Sequence, residues 1–485
     1  MIADKAIKVF FRADGNEKMG LGHIIRSSAL ASMINNDYNC ILATRCKISQ
    51  VLKEVSYVYD NIIQLPEMDF QSEAILASEI FVNADLIVLD GYSFDATYQQ
   101  ELLKQKFEFF SIDDIHATTF YSKIIINHCG GLTPINYPAQ PDTLFYLGPQ
   151  YSLLRKPFLD AAKKRRREIN NKNCLVCFGG SDPRNKTLEI LQNSNILYHF
   201  DQLHVVTGSA YQYEKELMQF TRVKKNIFIY SSLSPEELVL IMQKCCFALC
   251  SPSTLVYEYM CVGGVVFLEQ VADNQKDLIK YMIEEGFAFL LKDIGNVDEI
   301  KITLSLEKQS RYFDGISGER FVKLFRQYFY AKKIKVRRVK EEDLQICFNW
   351  ANDKTVREQS YNQNPISLKE HTDWFHQNLN DSSVFFYIME LDHKPIAQIR
   401  FRVSDNEALL GYLADEKVRN KGLGTSILSK GIGKFIQDFQ KPIHIVGYVK
   451  NSNEPSQHSF EKLAFVKTMS SEYPDSFKYT MYHDY

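Results

Sequence analysis

Two stretches of the chain set glycines beside residues that can move protons or hold anions. In "EKMGLGHIIRSSALA", residues 17–31, Gly20 and Gly22 precede His23, and Arg26 follows one helical turn later. The strand-like "IKVFFRAD" just before puts His23 at or near a helix N-terminus, where the partial positive charge favours a neutral imidazole able to take a proton from water. Glycines there permit positive φ and close approach of a ligand to the backbone. Arg26 falls on the same face and can meet an anion. The spacing alone also fits a turn that a histidine happens to follow. The second stretch, "EKVRNKGLGTSILSKGI", carries Arg419, Lys421, Gly422 and Gly424 as R-x-x-G-x-G between the strand "LLGYLAD" and a helix. Successive N–H groups at such a turn, reinforced by the helix dipole, can hold a pyrophosphate.

The elements that must position these residues fall into thirds. With 485 residues the chain is too long for one core, and about three units follow from domain sizes of roughly 100–200 residues. Residues 1–152 alternate apolar runs ("IKVFFRAD", "NCILATR", "ADLIVLDGY", "FEFFSIDD", "KIIINH") with helical patterns, and 153–330 repeat the rhythm with "NCLVCFGG", "QLHVVTG", "NIFIYSS", "CFALCSP" and "GVVFLEQ". Strands apolar on both faces and separated by helices predict parallel sheets, and two such lobes predict a ligand cleft at the carboxyl ends of their strands. "RKPFLDAAKKRRREINNKN" reads as the joint, its basic run at 163–168 a solvated face. Residues 334–485 read as α+β, an antiparallel sheet interleaved with helices.

Composition narrows the function classes. Apolar residues at 45% and charged residues at 24% are ordinary for a globular protein, and a formal charge of -2 argues against a large electrostatic grip on nucleic acid. "MIADKAIKVFFRAD" lacks a signal-peptide pattern, so a cytoplasmic location is expected; Pro252, Glu258 and a glycine pair interrupt the most apolar later run, so no membrane span is expected. The ten cysteines show no framework spacing. Cys174 and Cys177 form CxxC on a strand, where residues three apart face opposite sides, wrong for a redox pair or a shared metal. No metal site is expected.

The motifs "FRADGNEKMGLGHIIRSSALA", "LIVLDGYSF", "SIDDI", "LGPQYSLLRKPF", "VCFGGSDPRNKT", "STLVYE", "DNQ" and "FDGISGERF", in this order over residues 1–330, resemble the UDP-sugar hydrolase family of pseudaminic acid biosynthesis. The resemblance implies two Rossmann-like lobes in a GT-B arrangement, hydrolysis of a UDP-linked 2,4-diacetamido-2,4,6-trideoxy-β-L-altropyranose with inversion, and His23 as general base on water. It places Tyr92 where water or sugar is oriented, and Asp14, Gly20, Gly22 and Arg26 about the substrate. In the second lobe it implies phosphate contacts from Gly179, Gly180 and Ser181 and from Ser253 and Thr254, ribose contacts from Glu258, and sugar or phosphate contacts from Asn274 and Gln275. Simple N-capping is the plainer role for Ser253 and Thr254. Where the family usually has glycines before that serine or threonine, this chain has "SPST".

Residues 334–485 resemble the GNAT acetyltransferases: a strand–helix opening, "GYLAD" before the glycine turn, "PIHIVGYV" and then "VKNSNEPSQHSFEKLAFVK". That resemblance implies acetyl-CoA as co-substrate, held by Arg419, Lys421, Gly422 and Gly424, with Asn453 bordering the pantetheine arm. The tyrosine that many members use to reprotonate the thiolate is Phe460 here, and the usual following glycine is Ala464. Glu407, Tyr412, His444 and Tyr448 remain as candidate acid–base groups. Together the resemblances imply a bifunctional enzyme that 4-N-acetylates a UDP-linked amino sugar and then releases UDP. A true glycosyltransferase, a nucleotide-sugar-binding regulator, and an acetyltransferase acting on protein N-termini stand as alternatives.

Overall fold

In the computed structural model of the protein, residues 7–16, 20–140, 143–208, 210–272, 275–419 and 421–484 are described. The chain forms two compact units, Met1–Pro138 with Tyr146–Val322 and Ala139–Phe145 with Lys323–Tyr485.

The first sheet contains β1 (Lys8–Ala13), β2 (Asn39–Thr44), β3 (Asn61–Gln64), β4 (Leu86–Asp90), β5 (Phe109–Ile112), β6 (Ile124–Asn127) and β7 (Leu144–Leu147), in the order β3-β2-β1-β4-β5-β6-β7. Pairings from β3 through β6 are parallel. The inner strands are buried along their whole length, which explains their unbroken apolar runs. The second sheet contains β8 (Asn173–Cys177), β9 (Gln202–Thr207), β10 (Ile227–Ser231), β11 (Phe247–Cys250), β12 (Val265–Leu268) and β13 (Phe289–Leu290), all parallel, in the order β10-β9-β8-β11-β12-β13. Strand order reverses between β1 and β4 and again between β8 and β11. At such a switch point the loops part and leave a crevice beyond the strand ends. His23 follows β1, Asp90 ends β4, Gly179 follows β8, and Ser253 follows β11.

The joint after the first sheet keeps most of its basic run solvated: a helix covers Lys156–Ala162, and beyond it Lys163, Lys164 and Arg167 are exposed while Arg165 and Arg166 turn inward. Arg165 donates to the carbonyls of Met260 and Phe313, and Arg166 to those of Gly263, Met242 and Gln243. These guanidinium groups reach carbonyls at the ends of three helices, Pro235–Lys244, Thr254–Val262 and Glu299–Tyr312. Cys174 and Cys177 lie on β8 in separate core clusters on its two faces, and burial pushes the Cys177 thiol up to about 11.

The second unit is built on β14 (Lys335–Arg338), β15 (Val384–Leu391), β16 (Lys394–Ser404), β17 (Glu407–Ala414), β18 (Ile443–Lys450), β19 (Val466–Met469) and β20 (Ser476–His483), in the order β14-β15-β16-β17-β18-β20-β19. The sheet is not wholly antiparallel as expected: β17 and β18 are parallel, because the helix Gly424–Phe439 carries the chain back between them. Phe401 and Phe435 stack 4.3 Å apart where that helix meets the sheet.

Candidate active sites

At the first switch point His23 occupies the first turn of the helix Gly22–Ile34, whose N-cap residue Leu21 makes no side-chain cap. Its Nδ1 lies 2.7 Å from Asp90 Oδ1. Asp90 Oδ1 is the acceptor that a proton on Nδ1 requires, and with that proton the lone pair falls on Nε2; Arg26 Nη2 also lies 3.1 Å from Nδ1. Tyr92, 47% exposed, sets its ring edge-on to the imidazole at 4.8 Å and donates to Asp114 Oδ2 at 3.2 Å. Among the described residues, a Cβ at Gly20 or Gly22 would meet nothing within 4 Å, and Gly20 has φ +82°, a backbone that favours glycine.

Arg26 meets its anion inside the protein. It donates through Nε and Nη2 to Asp90 at 3.0 and 2.5 Å and through Nη1 to Asp114 at 3.0 Å, and these carboxylates outweigh burial to raise its pKa. It therefore braces the carboxylate behind His23 instead of facing the cleft. Asp90 is fully buried, yet Arg26 and the His23 hydrogen bond hold its pKa below the usual range. Asp14 is likewise taken internally, accepting from Arg12 at 2.7 Å and from the Arg45 N–H at 2.7 Å. Arg12 continues to the fully buried Glu73, which also pairs with Arg45. Asp90 and Asp114 were absent from the sequence-level site. Both end or follow strands inside quoted motifs, the signal that could have found them.

Of the residues the resemblance assigns to the nucleotide, Gly179–Ser181 and Ser253–Thr254 follow the two strands of the second switch point. Gly179 and Gly180 have open space beside their Cα atoms, and Ser181 is exposed. The next helix offers less to a phosphate than its sequence suggested. Asp182 accepts from Lys186 N at 2.9 Å and Thr187 N at 2.8 Å, occupying the amides at its start. The helix Thr254–Val262 is different: Ser253 is its N-cap residue by position but makes no side-chain cap hydrogen bond, so the capping role is not taken up. One turn in, Glu258 is buried with Oε1 2.9 Å from Arg155 Nε, and Oε2 has no hydrogen-bond partner among the described residues. Burial raises its pKa against the pull of Arg155. Arg155, in the quoted "LLRKPF", is a third residue the sequence reading missed. Gln275 Oε1 accepts from the amides of Val271 and Ala272, leaving its amide nitrogen for other partners. Asn274 lies outside the described residues.

In the second unit β17 and β18 pair only from Glu407 opposite His444 to Leu410 opposite Gly447, although β17 continues to Ala414 and β18 to Lys450. Beyond that point the strands part and leave backbone groups for another partner. Glu407 and His444 sit at the closed end, while Tyr412 and Tyr448 lie past the split. The Tyr412 hydroxyl is 2.9 Å from Ser456 Oγ, and Tyr448 donates to Glu472 at 2.5 Å. Burial raises both phenol pKa values, and for Tyr448 the Glu472 carboxylate adds to it. Phe460 is buried against Phe465 and Tyr479.

Gly424 opens the helix after the glycine turn, and Gly422 has φ +73°. A Cβ at Gly422 would fall 1.7 Å from the Gln327 amide, whose nitrogen donates to the Lys421 carbonyl. Lys421 itself is exposed. Arg419 turns inward to Asp353 at 2.7 Å and to the Ala414 carbonyl at 2.9 Å, so it braces the turn from behind. Asn453 caps the helix Glu454–Lys462 through Ser456 N. Gln327 and Asp353, distant in sequence from the turn, carried no local signal.

These sites sit on two doubly wound parallel sheets followed by a sheet split between two parallel strands. Residues 333–466 match the acetyltransferase (GNAT) domain model. The chain is 22% identical over 294 residues to the UDP-2,4-diacetamido-2,4,6-trideoxy-β-L-altropyranose hydrolase of Campylobacter jejuni, covering 58% of this chain and 98% of that one. It is 24% identical over 285 residues to the spore coat polysaccharide biosynthesis protein SpsG of Bacillus subtilis, covering 57% and 81%. An uncharacterised protein of Methanocaldococcus jannaschii is 24% identical over 385 residues, covering 76% of this chain and 78% of the relative. The chain is thus a homologue of that hydrolase and of SpsG, fused to a GNAT domain at its C-terminal end.

Proposed function

We propose that the protein is a bifunctional enzyme of nonulosonic acid biosynthesis, N-acetylating a UDP-linked 4-amino sugar and then hydrolysing the diacetamido product to free sugar and UDP. The observation that carries the hydrolytic half is the His23–Asp90 pair at the mouth of an open glycine turn. With Nδ1–H held by Asp90, Nε2 takes a proton from water as the oxygen attacks the anomeric carbon; the bond to UDP breaks and its electron pair stays on the departing phosphate oxygen. Attack from the face opposite the leaving group inverts the centre. Arg26 and Asp114 fix Asp90 and Tyr92, so the base is preorganised at little cost during reaction. The two lobes then work as a GT-B pair with the divisions at 1–152 and 153–330, the phosphates lying against the uncapped start of the helix Thr254–Val262 and Glu258 Oε2 accepting from ribose.

In the domain of residues 334–485, the glycine turn at 422–424 would hold the coenzyme A pyrophosphate, and the split between β17 and β18 would receive the pantetheine arm. The sugar's neutral amine would attack the thioester carbonyl of acetyl-CoA; as the C–N bond forms the C–S bond breaks, and the amine's proton ends on the departing coenzyme A thiolate. Backbone N–H groups past Leu410 polarise the carbonyl.

A proton NMR time course with the UDP-linked 4-amino-altrose derivative, with and without acetyl-CoA, tests both halves. The 4-acetamido compound should form only with acetyl-CoA, followed by free sugar and UDP. A His23→Ala variant should stop at the acetylated UDP-sugar; equally fast release by that variant would sink the base assignment.

A further inference from the structure

We propose that His128 binds the leaving group, donating a hydrogen bond to the sugar-linked β-phosphate of UDP; the inference rests on the hydrolase reading above. His128 follows β6, so it lies at the same carboxyl edge of the first sheet as His23 and Asp114. Its ring packs against Tyr257 at 4.9 Å, and the Tyr257 hydroxyl donates to the His128 carbonyl at 3.1 Å. Tyr257 stands one turn into the helix Thr254–Val262. Tyr257 is fully buried with its ring against both His128 and Phe313, which ties the His128 loop to the helix whose start bears Ser253 and Thr254. The loop is pinned a second time at Gly130, where a Cβ would fall 1.8 Å from the Tyr281 ring.

The imidazole is only 8% exposed as part of a residue with no ring hydrogen bond among the described residues. The ring thus keeps a donor and an acceptor for a bound group. Burial, then the charge of Arg26, pushes its pKa down to about 4, so near neutral pH the ring carries one N–H donor. As the anomeric C–O bond breaks, negative charge gathers on the phosphate oxygen and this hydrogen bond strengthens. The water proton still goes to His23, and His128 keeps its own.

Calorimetric titration of UDP and UMP into the full chain separates the possibilities. His128→Phe keeps a ring against Tyr257 without nitrogens, and His128→Asn keeps a donor. The expected result is about a tenfold loss of UDP affinity in His128→Phe, UMP affinity unchanged, and partial recovery in His128→Asn. Equal weakening of UDP and UMP, or none for UDP, would overturn the assignment while leaving the hydrolase reading intact. Failure of the wild-type chain to bind UDP would overturn both.

Discussion

At the residue scale, the imidazole of His23 is held by two buried charged groups. Asp90 sets the tautomer of His23, and Arg26 keeps Asp90 ionised although it is buried. In Asp90→Asn, an amide N–H facing Nδ1 would favour the other tautomer, so UDP release should fall by roughly 10²–10⁴-fold while UDP binding, read calorimetrically, persists. Arg26→Met should act on stability instead. Leaving buried Asp90 without its guanidinium should cost about 3–5 kcal/mol, visible as a lowered chemical-denaturation midpoint. His23 and Arg26 were legible because both lie in one short motif. Their carboxylate partners were not, because 64 or more residues separate each from Arg26 and only the sheet order unites them.

At the element scale, the decisive features are close contacts between segments. The Gly130 loop is seated against the Tyr281 ring. Gly130→Ala should destabilise by about 1–3 kcal/mol through overpacking, and adding Tyr281→Leu should recover part of that loss in thermal melts. Gly422→Ala combines a positive φ with a collision at Gln327. It should weaken coenzyme A binding in titration at least severalfold, with UDP binding unchanged, because only the glycine turn is distorted. The short edge strands β3 and β13 escaped the sequence reading, since half-exposed runs of a few residues lack the apolar continuity of the inner strands.

For the molecule as a whole, acid should act through the buried histidine. Burial first and Arg26 second push His128 down from the ordinary histidine value near 6.5 to about 4, with Asp114 and Asp90 pulling the other way. The unfolded chain then binds the extra proton between those values. The contribution to stability is complete above about 6.5 and is lost as pH falls toward about 4. His128→Phe should flatten the pH dependence of the unfolding free energy across that window; an unchanged slope would show that other groups govern it. Among the described residues no helix is long and apolar enough to cross a membrane, and the ten cysteines are free and buried.

The sequence by itself determined which segments are buried strands, where the glycine turns fall, and that His23 and Gly424 stand at helix starts. Those properties depend on neighbours within a few positions, where apolar runs, glycine φ freedom and helix starts act. Tertiary structure alone decided that Arg26, Asp14 and Arg419 serve internal carboxylates, carbonyls or amides, that Asp182 occupies one helix start while Ser253 leaves another open, and that β17 and β18 run parallel before parting. Each depends on groups brought together across tens of residues by strand order, and burial makes an internal partner for a charge worth more than an exposed one.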